Sequence, residues 1–89
     1  MATLVVTHPV KDYGSWRAVY DEVDTLRTQH GCTADRVIRG ADDPLQVLVM
    51  HEFPTVEDAR GFAQDPALKV AMDRAGVAGP PRIEIYEPA

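Results

Sequence analysis

The order of its elements predicts that this chain folds as an α+β, ferredoxin-like βαββαβ sandwich, an antiparallel sheet with helices on one side. Three observations carry that expectation. Four short segments are apolar in strand fashion, two longer stretches between them repeat apolar residues at helical spacing, and segment 45–53 is apolar on both faces. In that segment one face holds Val47, Val49, His51 and Phe53, and the other is assigned Leu45 at its start, Leu48, and Met50 beside Glu52. A strand with two apolar faces needs cover on both sides, and the chain has helix for only one. A second copy of the chain is expected to supply the other cover, giving a homodimer through the sheet face.

The first strand covers residues 3–8 and ends at Pro9, which cannot donate to a ladder. Asp12 suits a helix N-cap, and Tyr13, Trp16, Val19, Tyr20, Val23 and Leu26 then form one apolar stripe. That stripe predicts a helix about sixteen residues long. Gly31 ends it, with Arg27 and His30 near the negative end of its dipole. A second strand over 34–39 is joined to the third by turn chemistry at 40–44, Gly-Ala-Asp-Asp-Pro.

Thr55 and Asp58 read as a capping box opening a second helical region, whose apolar side begins with Ala59, Phe62 and Ala63. Asp65-Pro66 restarts the helix, and Leu68, Ala71, Met72 and Ala75 continue the stripe to Gly76. Gly79-Pro80-Pro81 is a stiff connector to a last strand over 82–87, which alternates apolar and polar residues. In the expected topology the first and third strands are parallel neighbours at the centre of the sheet. His8 and His51, near the ends of those strands, would then lie toward one end of the sheet.

Composition narrows the function. Eighty-nine residues, 45% of them hydrophobic, make one domain spanning 1–89 with a single small core. A formal net charge of −5 argues against nucleic acid or an anionic membrane as partner. Cys32 is the sole cysteine, so no internal disulfide forms and no thiolate-rich zinc site is expected. The N-terminus carries no charged leader or long apolar run, and the cytoplasm is the expected location. Asp42 and Asp43 lie in a tight turn where aspartate serves the backbone, and the three histidines lack ligand spacing, so no metal is expected.

The stretches Val6-Thr-His-Pro-Val-Lys-Asp-Tyr-Gly-Ser-Trp16 and Ala41-Asp-Asp-Pro-Leu-Gln-Val-Leu-Val-Met-His-Glu-Phe53 resemble the dimeric α+β barrel superfamily. The helix Asp65-Pro-Ala-Leu-Lys-Val-Ala-Met72 and the tail Ala75-Gly-Val-Ala-Gly-Pro-Pro81 extend that resemblance over nearly the whole chain. In particular the chain is similar to the small proteins grouped with antibiotic biosynthesis monooxygenases. The resemblance implies two sheets facing each other across a dimer and a pocket between each sheet and its helices. Members oxidise polycyclic aromatic substrates without metal or flavin, degrade haem, or cyclise polyketides. His8 and Phe53 fall where haem-degrading relatives carry a pocket asparagine and tryptophan, and Met72 where they carry the histidine that ligates iron. Without that histidine the resemblance does not extend to haem chemistry, and no cofactor is expected. Phe62 and Leu68 fall where cyclase-like relatives carry a tyrosine and a histidine, and neither residue can move a proton.

His8 and His51 are the candidate catalytic residues, since an imidazole titrates near neutrality and can take a proton from a phenol or enol. The alternative for each is structural: a strand-end histidine bonded to backbone, or a histidine packed in the sheet. Trp16, Val49, Phe53, Phe62, Leu68, Met72 and Tyr86 are the candidate ligand pocket; Trp16 and Met72 also fit ordinary helical packing. Glu52 points away from His51 along the strand and is expected to pair with Arg36 or Arg39. The leading expectation is a cofactor-independent monooxygenase-like protein binding an aromatic or polyketide-like molecule. A non-catalytic ligand-binding or stress-response dimer and a polyketide cyclase or isomerase are the alternatives.

Overall fold

A computed structural model describes residues 1–89 in eight elements. Strand β1 (Ala2–Pro9) leads to helices α1 (Tyr13–Glu22) and α2 (Asp24–Gln29), then β2 (Ala34–Arg39) and β3 (Gln46–Phe53). Helices α3 (Val56–Gln64) and α4 (Pro66–Ala75) and strand β4 (Arg82–Tyr86) complete the chain. The sheet order is β2-β3-β1-β4, and every neighbouring pair is antiparallel. This is the ferredoxin-like α+β sandwich, with the four helices on one face. No helix is long and apolar enough to cross a membrane.

One expectation about the topology is overturned. β1 and β3 are antiparallel, because the β2–β3 hairpin reverses the chain before β3 enters the sheet beside β1. His8 therefore lies opposite Val47, and His51 opposite Leu4. The two imidazoles are four rungs apart, about 13 Å along the strands, rather than at one end. They still share a face, since residues paired across a ladder point the same way. Leu4, Val6 and His8 join Val47, Val49, His51 and Phe53 under the helices, all buried.

The caps anticipated from sequence form. Asp12 accepts from the Ser15 N–H at 2.8 Å, Thr55 from Asp58 at 3.1 Å and Asp65 from Ala67 at 2.9 Å. Gly76 closes α4 in the left-handed region at φ 78°, where a side chain would be strained. The long first helix, however, is two. Val23 leaves helical backbone at φ −94°, ψ 19°, and its carbonyl restarts the turn by accepting from Leu26. Beyond this break Arg27 turns inward and donates to the Tyr20 carbonyl at 2.9 Å, satisfying an acceptor in the last turn of α1. Arg27 is thus a buried residue, 5% exposed, not a surface partner of the helix dipole.

Two apolar clusters fill the layer between sheet and helices. Leu4, Phe53, Ala59, Phe62 and Leu68 anchor one; Val10, Trp16, Tyr20, Val47 and Ala75 anchor the other. The opposite sheet face has no helix on it. There Val5, Leu48, Met50 and the 39%-exposed Ile38 form an apolar band, with Tyr86 beside it at 51% exposure. Glu52 on this face is reached by Thr3, its direct partner across the ladder, at 2.7 Å, and not by an arginine. Arg39 instead lies over the Tyr13 ring at 4.3 Å. Leu45 precedes β3 and stands 46% exposed.

Candidate functional site

Between the two apolar clusters lies a cavity of about 50 Å³, walled by α1, α2, α3, α4 and the covered face of β1 and β3. His8, His51, Trp16, Tyr20, Arg27 and Phe62 are among its lining, with Val49, Leu68, Met72 and Ala75. It thus brings together both candidate catalytic histidines and five of the seven expected pocket residues. The other two stand elsewhere. Phe53 is completely buried in the core beside Phe62, ring centroids 5.7 Å apart, and does not reach the cavity. Tyr86 is paired with Thr3 and so points to the uncovered face of the sheet.

Aromatic rings order the polar groups. Trp16 stacks on Tyr20 at 5.0 Å and meets His8 at 5.7 Å; Tyr20 stacks beside His51 at 6.0 Å, and Phe62 meets His51 edge-on at 5.3 Å. The Tyr20 hydroxyl donates to Asp35 Oδ2 at 2.6 Å and lies 3.0 Å from His51 Nε2. A phenol has one proton. With it committed to Asp35, the second contact requires His51 Nε2–H to donate to the phenol oxygen. The tautomer is thereby fixed, and His51 Nδ1 carries a bare lone pair. That Nδ1, like His8 Nδ1, is buried and meets no hydrogen-bond partner in the protein. Buried polar atoms are nearly always satisfied, so two unpartnered ring nitrogens on residues lining one apolar cavity mark a place for a polar group from outside.

The electrostatics are set by burial and by one cation. The Arg27 guanidinium lies 3.9 Å over the Tyr20 ring. Burial, then the Arg27 charge, push His51 down to about 4, with Asp35 opposing them. Burial lowers His8 as well. Burial and the bond to Asp35 raise Tyr20 well above the usual phenol range despite Arg27, so its proton is retained. Both histidines are neutral at pH 7, and the cavity contains one permanent positive charge on its wall.

Tyr20, Arg27 and Asp35 are not distinguishable from structural residues in the sequence pattern: Tyr20 falls on the apolar stripe and Arg27 in a last helical turn. Asp35 has a signal in the hairpin, because strands counted outward from Asp43 put it opposite His51, as observed. Outside the cavity, α4, the connector and β4 border a groove of about 560 Å³. Leu68 and Met72 line both spaces.

Neither a family model nor any curated protein matches the chain by sequence. Solved structures do match by fold. A Bordetella bronchiseptica protein classed with the antibiotic biosynthesis monooxygenases superposes with a TM-score of 0.83 at 15% identity, covering 99% of this chain and 96% of its own. SnoaB, a cofactor-independent oxygenase from Streptomyces nogalater, superposes with a TM-score of 0.79 at 11% identity, covering 99% and 92%. A Caulobacter crescentus protein of the same class gives 0.78 at 16% identity over 99% and 89%. Many structural neighbours are thus antibiotic biosynthesis monooxygenase-like proteins, with the ferredoxin-like α+β fold observed here.

Proposed function

We propose that this chain, built on the fold it shares with those monooxygenase-like structures, is a cytoplasmic cofactor-independent oxygenase for a hydroxylated aromatic or polyketide-like molecule. The observation that carries this reading is the unpartnered, buried Nδ1 of His51, left as an acceptor on a residue that lines an apolar cavity together with a buried arginine. A ligand hydroxyl gives its proton to that nitrogen, and the resulting oxyanion sits near Arg27. The electron-rich anion then reacts with dioxygen where water is excluded. In a substrate whose activated carbon is a CH2 group, that carbon becomes C=O and the second oxygen atom leaves as water. The inner space of about 50 Å³ accepts only the reacting edge of such a ligand. The outer groove has the size of a ligand pocket, and displacement of Leu68 and Met72 would join the two.

Oxygen uptake with a panel of anthrones and naphthols tests the reading. Wild type is expected to consume oxygen with at least one of them, and the His8→Ala/His51→Ala double variant to lose about 100-fold or more. Unchanged uptake in the double variant overturns it. Binding without uptake would make the protein a ligand-binding dimer, and a rearranged product without uptake would make it a cyclase or isomerase.

We further propose that two copies pair through the uncovered sheet face, which explains the apolar band of Val5, Ile38, Leu48 and Met50. Sedimentation at micromolar concentration should give twice the 9.8 kDa chain mass. Met50→Asp is expected to yield monomer, because a carboxylate would lose its water in the contact. A monomeric wild type refutes the pairing.

A further inference from the structure

We propose that Asp35 is the solvent-side terminus of a three-residue proton relay, His51–Tyr20–Asp35, which carries a ligand's proton out of the cavity. The inference rests on the cavity's taking a ligand with an ionisable hydroxyl. Its geometry is independent of that reading. The 3.0 Å and 2.6 Å contacts form an unbroken path from His51, 3% exposed, through Tyr20, 7% exposed, to Asp35 on the exposed edge strand β2. Asp35 is thus a carboxylate with one oxygen on the buried phenol and its residue open to water.

The transfers balance in one direction. The ligand O–H breaks and its proton binds His51 Nδ1, leaving the electron pair on the ligand oxygen. His51 Nε2–H passes its proton to the Tyr20 oxygen, and the original Tyr20 proton passes to Asp35 Oδ2. The Asp35 carboxylic acid then releases it to water. His51 ends as its other neutral tautomer, and run in reverse the path reprotonates a product.

The relay removes a difficulty that a simple histidine base would face. The charged groups around His51 are Arg27 from α2 and Asp35 from β2, with the neutral Tyr20 from α1. An imidazolium there would be buried with the Arg27 cation acting against it, which is why the group is held near 4. Because the relay exchanges tautomers, the ring is neutral before and after the transfer. Until Asp35 releases the proton to water, the negative charge has moved inward, from Asp35 to the ligand oxygen.

The test uses 4-nitrophenol, whose ionisation is visible by its colour, together with nitrogen-15 spectra of the histidines. In the free protein His51 should be the Nε2–H tautomer; an Nδ1–H tautomer overturns the relay before any ligand is added. After mixing with wild type, the bound phenol should ionise rapidly. In Asp35→Asn the rate should fall about 10-fold or more with binding retained, and Asp35→Glu should restore most of it. Tyr20→Phe, which keeps the ring stack and removes only the hydroxyl, should match Asp35→Asn. Equal rates in wild type and Asp35→Asn overturn the relay alone. Absence of binding to wild type overturns the ligand reading and removes the relay's proton source.

Discussion

Replacing Phe62 with alanine should cost about 3–5 kcal/mol, a large part of the 5–15 kcal/mol typical of a folded domain. Phe62 is 1% exposed and meets Phe53 at 5.7 Å, His51 at 5.3 Å and His30 at 5.8 Å. Its removal therefore takes packing from the core and from one ring face of the candidate base together. The void would open directly into the existing cavity, and partial collapse around it would be limited by the sheet below. Urea unfolding with the slope held common to both proteins reads the difference. A loss under about 1 kcal/mol would mean that Phe62 is not a packing centre.

Acid should destabilise the protein in a window set by the site itself. His51 falls from its ordinary 6.5 to about 4 in the folded chain. Below pH 6.5 the unfolded chain binds a proton that the folded chain refuses, so stability falls as the pH drops and the loss is complete near 4. At about 1.4 kcal/mol per pH unit the loss is about 3 kcal/mol. His8, also lowered, acts in the same direction. Asp12, Asp65 and Glu84 are lowered carboxylates, whose contributions are lost at still lower pH. His51→Gln should flatten the slope between pH 6.5 and 4 apart from the part due to His8. A slope as steep as in wild type would assign it to other groups.

The fold was legible in the sequence because it depends on period and on caps. Alternation in residues 82–87, the stripe through Phe62 and Met72, and Asp12, Thr55 and Asp65 at helix starts each specify local structure by short-range physics. Strand direction was not legible to the same degree. Nothing in residues 2–9 states whether β3 runs with or against them; only the hairpin turn before β3 decides it. The break at Val23 was also hidden, since the apolar stripe continues through it. Within the site, His8 and His51 stood out by residue type. Tyr20 and Arg27 did not, because a tyrosine on an apolar stripe and an arginine in a last turn have ordinary structural roles. Phe53 and Tyr86 were misplaced for a geometric reason. One lies a step beyond the cavity floor, and the other is paired with Thr3 and so faces outward.

The turn between β2 and β3 has a bearing on how this chain can vary. Gly40 is packed so closely that a Cβ there would stand 2.6 Å from the Asp43 carbonyl oxygen, so the turn is compact. Surface turns ordinarily accept an inserted or deleted residue at small cost. Here a one-residue change that slips β2 against β3 would turn every β2 side chain to the opposite face. Asp35 would leave Tyr20, and His51 would lose the group that fixes its tautomer, while the strands could still pair. On the proposed relay, length at this turn is constrained by proton chemistry, and natural variation there should favour substitution over insertion.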